Sequence, residues 1–77
     1  MNLTARLLED GFESVNLKTG NVKPGDAVVN RNDMFGTLLK ITKKGNYKIR
    51  YDIDYDGEPA SKYTAAEFER LFLVDKR

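Results

Sequence analysis

The sequence predicts a mainly β fold, a small five-stranded barrel with a short N-terminal helix and a helical turn before the last strand. Three observations carry that prediction. Residues 47–55 alternate strictly, with Tyr47, Ile49, Tyr51, Ile53 and Tyr55 on one parity and Lys48, Arg50, Asp52 and Asp54 on the other, the pattern of a strand with one buried and one wet face. Turn-forming residues punctuate the chain at short intervals, at Pro24-Gly25, Asn32-Asp33, Gly45-Asn46 and Asp56-Gly57, which leaves room only for short strands. The chain has 77 residues, enough for one small core, so short strands must curl to protect their edges.

Taken in order, Asn2 is placed to cap a helix running to Asp10, with Leu3, Leu7 and Leu8 on one stripe. Gly11 follows as the left-handed C′ residue and Phe12 is spaced to fold back on Leu7. A helix of about nine residues does not hold alone, so it must dock, and its own domain is the expected place. Residues 13–25 read as irregular. Lys23-Pro24-Gly25-Asp26 suits a type II turn. Residues 27–31 form a strand, Phe35 to Lys43 a second with Gly36 near its start, and Lys44-Gly45-Asn46 a tight hairpin connection to the strand 47–55. Ala60 to Tyr63 returns as a short strand. Thr64 and Glu67 have capping-box spacing, Tyr63 and Phe68 the spacing of a hydrophobic staple, and the helix they start ends near Leu71. Phe72 to Asp75 is the final strand. The expected division is an N-terminal helix and extension over residues 1–20, followed by a barrel over 21–77.

Val22-Lys23-Pro24-Gly25-Asp26 leading into Val28, then Gly36 with Leu38, then Tyr47, Ile49 and Tyr51, then a helical turn before the last strand, resemble the SH3-like small barrels, in particular KOW- and Tudor-like members, over residues 22–75. The resemblance is to a fold. It implies a module that binds nucleic acid, peptides or modified tails, and it does not choose among them.

Composition removes several function classes. The chain has no cysteine and no histidine, so disulfides, thiol chemistry and an imidazole base are excluded. Ser14 and Ser61 have no imidazole to activate them, and a chain this short rarely encloses a substrate pocket. The expectation is a protein without enzymatic activity, cofactor or small-molecule substrate. The longest apolar run, Leu71 to Val74, falls far short of the roughly 20 residues a membrane helix needs, and Met1 to Arg6 lacks a basic stretch leading into an apolar core, so a signal peptide is not expected. A cytoplasmic protein without membrane contact is expected.

The net charge is +1, but the charges are segregated. Residues 31–50 contain Arg31, Lys40, Lys43, Lys44, Lys48 and Arg50 against Asp33, whereas residues 51–69 contain Asp52, Asp54, Asp56, Glu58, Glu67 and Glu69 against Lys62. The two stretches therefore carry +5 and −5. The basic stretch spans a hairpin and is suited to a macromolecular partner. A protein partner is favoured, because the near-neutral total lacks the excess that marks polyanion binders. Phosphate-backbone binding by hairpin residues 40–50 is the alternative. Asp52-Ile53-Asp54-Tyr55-Asp56-Gly57-Glu58 opens like a calcium loop, a further alternative weakened by Tyr63 at the position of the bidentate glutamate. The tyrosines invite comparison with an aromatic cage for a methylated cation. Their parity with Ile49 and Ile53 instead points most of them into the core, leaving Tyr55 and Tyr63, near loop ends, as the expected exposed pair. The candidate binding residues are thus Arg31, Lys40, Lys43, Lys44, Lys48, Arg50, Tyr55 and Tyr63.

Overall fold

The computed structural model describes residues 3–53 and 60–77, the side chains of residues 3–5 excepted. Helix α1 (Leu3–Glu9) leads into β1 (Phe12–Ser14), followed by β2 (Ala27–Asn30), β3 (Phe35–Ile41), β4 (Tyr47–Tyr51), β5 (Lys62–Tyr63), α2 (Ala65–Leu71) and β6 (Phe72–Asp75). The strands form one antiparallel sheet in the order β1-β6-β2-β3-β4-β5. The fold is mainly β, as the alternation and turns predict. Among the described residues the strands number six rather than five, and the ladder is open, with β1 and β5 as its edges.

The additional strand is β1, in a stretch the sequence marks as irregular. Its three residues carry no alternation to read, and they become a strand by pairing Phe12 with Asp75, Glu13 with Val74 and Ser14 with Leu73. Asn21 blunts the outer side of β1: its amide donates to the Ser14 carbonyl at 2.9 Å, while its Oδ1 accepts from the Asn16 N–H at 2.8 Å.

Local signals hold where side-chain chemistry is self-contained. The Gly25 φ of +97° and the bond from the Asp26 N–H to the Lys23 carbonyl at 3.1 Å are those of the predicted turn, whose third position requires a positive φ. At α2 the Glu67 N–H donates to Thr64 Oγ1 at 3.2 Å and Glu67 Oε1 accepts from the Thr64 N–H at 3.0 Å, completing the capping box. Those bonds, the backbone one foremost, hold the Glu67 carboxyl below the ordinary glutamate range. A lowered carboxylate stabilises the fold above its unfolded-state pKa, and that contribution disappears as pH falls through the folded value. Thr64→Ala is expected to cost about 0.5–2 kcal/mol and to flatten the acid limb of the stability–pH curve. Urea denaturation at a series of acidic pH values checks both effects.

The sheet buries both faces, but unequally. On one face Val28, Leu38, Tyr47, Ile49, Phe72 and Val74 pack under α2, whose Phe68 fills the centre. Phe68 stacks on Tyr47 at 4.6 Å and on Phe72 at 5.1 Å between ring centroids. On the opposite face Val29, Leu73 and Phe12 form a second cluster with Leu7 of α1, and Phe35 packs against it. The N-terminal helix therefore docks on its own domain, covering the part of the outer face around β1, β6 and β2. Leu7 is buried whereas Leu8 is 45% exposed, so the predicted leucine stripe is only partly used.

Strand β4 stops at Tyr51, short of the predicted Tyr55. Its partner β3 begins at Phe35, and the last ladder contacts are the Gly36–Tyr51 pair and the Asp52 N–H donating to the Phe35 carbonyl at 2.9 Å. Past that point no strand residue remains to pair with, and Ile53, placed by parity in the core, is 62% exposed. Strand β3 ends at Ile41 rather than Lys43, because the Thr42 N–H bonds to the Asn46 carbonyl and turns the chain.

Candidate functional site

The candidate side chains separate into three places. Arg31 sits in the β2–β3 turn. Its N–H donates to the Leu71 carbonyl at 3.0 Å and its Nε to the Arg70 carbonyl at 2.8 Å. Buried Asn30 organises that turn by accepting the N–H groups of Asn32 and Met34 on Oδ1. Beside it lies an open cleft of about 300 Å³ lined by Asn30, Arg31, Met34, Tyr63, Leu71 and Phe72, at the low end of ligand-pocket sizes. Arg31 is at the opposite end of β3 from Lys40 and does not join the basic hairpin.

The described tyrosines pack in the core or at its rim. Tyr47 is buried against Phe68, and Tyr63 is half-buried with its ring edge-on to Phe72 at 5.0 Å. The hydroxyls of Tyr51 and Tyr63 meet in a hydrogen bond at the rim of the core, the arrangement expected of a partly buried tyrosine pair. Tyr55 falls outside the described residues, as does the part of the Asp52–Glu58 loop from residue 54 onward. Among the described residues, no cluster of three or more potential metal-ligating side chains is present.

The lysines come together in a way linear reading does not reveal. Strand register pairs Lys40 of β3 with Lys48 of β4, and Lys48 in turn with Lys62 of β5. All three are exposed, and their partners in the alternating pattern (Leu38, Ile49, Tyr47 and Tyr63) face the α2 side. The result is a row of three exposed lysines across three adjacent strands on the outer face. Directly opposite residues have Cβ atoms about 4.5–5.5 Å apart. Arg50, two residues from Lys48, points the same way and lies opposite Thr37, which in turn pairs with Ala27. Thr37 and Ala27 thus share the next rung along the sheet with Arg50, on the Leu39 side of the row. Lys43 and Lys44 extend the charge to the exposed hairpin tip.

A β-bulge sits inside this surface. The register shifts between Leu38 and Lys40, so that Leu39 and Lys40 together oppose Lys48. Leu39 is left 49% exposed beside the row. Among the described residues, none of Lys40, Lys43, Lys44, Lys48, Arg50 and Lys62 has a carboxylate within salt-bridge distance; the ion pair that does form, Asp75 with Arg77 at 3.0 Å, lies on β6 and the C-terminus. There the Asp75 carboxyl is held below its usual range by hydrogen bonds from Arg77, whose guanidinium also lies 4.7 Å over the Phe12 ring.

Lys62 is the member sequence reasoning missed. It lies within the acidic stretch 51–69, where it reads as a minority charge, and only the two-residue pairing of β5 with β4 carries it to the basic row. Its alternation with Tyr63 is too short to signal a face. Comparison with known proteins finds no matching family, no matching curated protein and no matching solved structure.

Proposed function

We propose that the chain is a non-enzymatic binding module that contacts a protein partner through the basic outer face of β3, β4 and β5. The single observation behind this reading is the Lys40–Lys48–Lys62 row. Like charges directly opposite on a sheet are destabilising, so a solvated face chosen for stability alone would interleave them with carboxylates, which this chain has in near-equal number. The row is instead left without described counter-charges, as a surface kept for an anionic partner would be.

In this reading β2 to β6 are a small SH3-like barrel arrangement. Support comes from the strand order: β2-β3-β4-β5 run as a meander, and β6 returns through α2 to lie beside β2, with Phe68 plugging the interior. The absence of histidine and cysteine and the modest cleft support a role without catalysis.

Binding of a phosphate backbone is the second reading, favoured by the same lysines. The inward or rim positions of Tyr47, Tyr51 and Tyr63 weigh against base stacking as part of it. Capture from native lysate on the immobilised chain, with and without nuclease, separates the two. Protein retained after nuclease treatment, and lost when Lys40, Lys48 and Lys62 are all changed to Glu, is the expected result. Retention that disappears with nuclease transfers the surface to nucleic acid.

A further inference from the structure

The spacing of the row selects among acidic partners. The three lysines stand directly opposite one another, so their Cβ atoms are spaced at about 4.5–5.5 Å. In an α-helix, residues three or four apart on one stripe have Cβ atoms about 5–6 Å apart. An extended strand offers same-side residues only every second position, at about 6.6–6.8 Å. Carboxylates on a helical stripe therefore stay in step with the three lysines, and those on a strand drift out of step by the third.

Apolar exposure narrows the choice further. The bulge sets Leu39, 49% exposed, against the end of the row, where a phosphate backbone has no apolar group to offer it. Thr37 and Ala27 lie on the same side of the row as Leu39 and are small, so they leave Leu39 accessible to a cylinder about 10 Å wide.

We propose that the surface receives an acidic amphipathic helix of a partner protein, with carboxylates at positions i, i+4 and i+7 facing Lys40, Lys48 and Lys62 and an apolar side chain resting on Leu39. This rests on the protein-partner reading above and specifies its ligand. Arg50 and the tip lysines Lys43 and Lys44 add longer-range attraction, which accelerates encounter more than it sets affinity. Lys62, on the edge strand, completes the register and is the residue whose loss separates a matched row from a merely basic hairpin.

The test is a titration of the isotopically labelled chain with two synthetic helical peptides of identical composition, followed by amide shifts. One peptide carries Glu at i, i+4 and i+7 with Leu beside them, and the other distributes the same residues around the helix. The expected result is that the striped peptide shifts the amides of Leu39, Lys40, Lys48 and Lys62 and binds about tenfold more tightly than its scrambled counterpart. Lys62→Gln should remove most of that difference, and Leu39→Ser should weaken the striped peptide alone. Equal affinity of the two peptides overturns the inference, as does an unchanged preference in Lys62→Gln. Shifts confined to Lys43 and Lys44 overturn it while leaving the basic-surface reading intact. No shift with either peptide also overturns it, and the nuclease-treated capture then decides separately whether the broader reading stands. A single-stranded oligonucleotide that binds the same amides more tightly than the striped peptide at the same salt overturns both.

Discussion

Phe68→Ala is expected to bring the folded chain close to its unfolding threshold at room temperature. The side chain is fully buried and stacks between Tyr47 and Phe72, so truncation removes its transfer energy and leaves a cavity between two rings. Such changes cost about 3–5 kcal/mol. A chain of this length has a total stability on the order of 4–12 kcal/mol, and each kcal/mol shifts the melting temperature of a domain this size by about 4–8 °C. Thermal denaturation followed by near-ultraviolet circular dichroism should show a midpoint lowered by tens of degrees. A midpoint within a few degrees of the parent would mean that α2 does not plug the core.

Gly36→Val is expected to damage the hairpin that presents the lysines. A Cβ at Gly36 would meet the Arg50 carbonyl oxygen at 2.6 Å and Ile49 Cγ2 at 3.1 Å. The first of these is backbone in the paired strand and cannot turn aside. Forced overpacking costs about 1–3 kcal/mol, and a branched side chain belongs at the upper end. Because Gly36 pairs with Tyr51 and lies two residues from Leu38, the strain is relieved by parting β3 from β4. Faster hydrogen exchange at amides along 35–41 and 47–51, with amides of β1 and β6 less affected, is the expected signature. Uniform protection equal to that of the parent would show that the strands do not approach as closely as this.

The elements legible in the sequence are those whose determinants are local. The Thr64–Glu67 box and the Pro24-Gly25 turn occur as read, because each rests on a side chain or a φ angle that acts within a few residues. Two features that a distant partner decides are not legible in their own residues. β1 exists because β6 is there to pair with it, and β4 ends where β3 runs out rather than where its own alternation does. The candidate surface shows the same division. Lys40 and Lys48 flank a hairpin that the sequence identifies, so their pairing was accessible, whereas Lys62 enters only through the β4–β5 register. Arg31 and Tyr63 were grouped with the lysines by charge and exposure, and the fold assigns them instead to a turn and to the rim of the core.

One cost follows from a row that has no ion-pair partner among the described residues. Lys48 sits between Lys40 and Lys62, and each like-charged pair directly opposite on a sheet works against folding. Replacing the central member by Glu turns two repulsions into two attractions. The most direct check of the account is therefore the urea midpoint of Lys48→Glu against the parent chain, at low ionic strength and again near 1 M salt. The row as described predicts a more stable variant at low salt, by a few tenths of a kcal/mol to about 1 kcal/mol, with the gain vanishing at high salt, where the screening length falls to about 3 Å. A variant equal to or less stable than the parent at low salt would contradict it, because the three lysines would then not face one another as an unneutralised row.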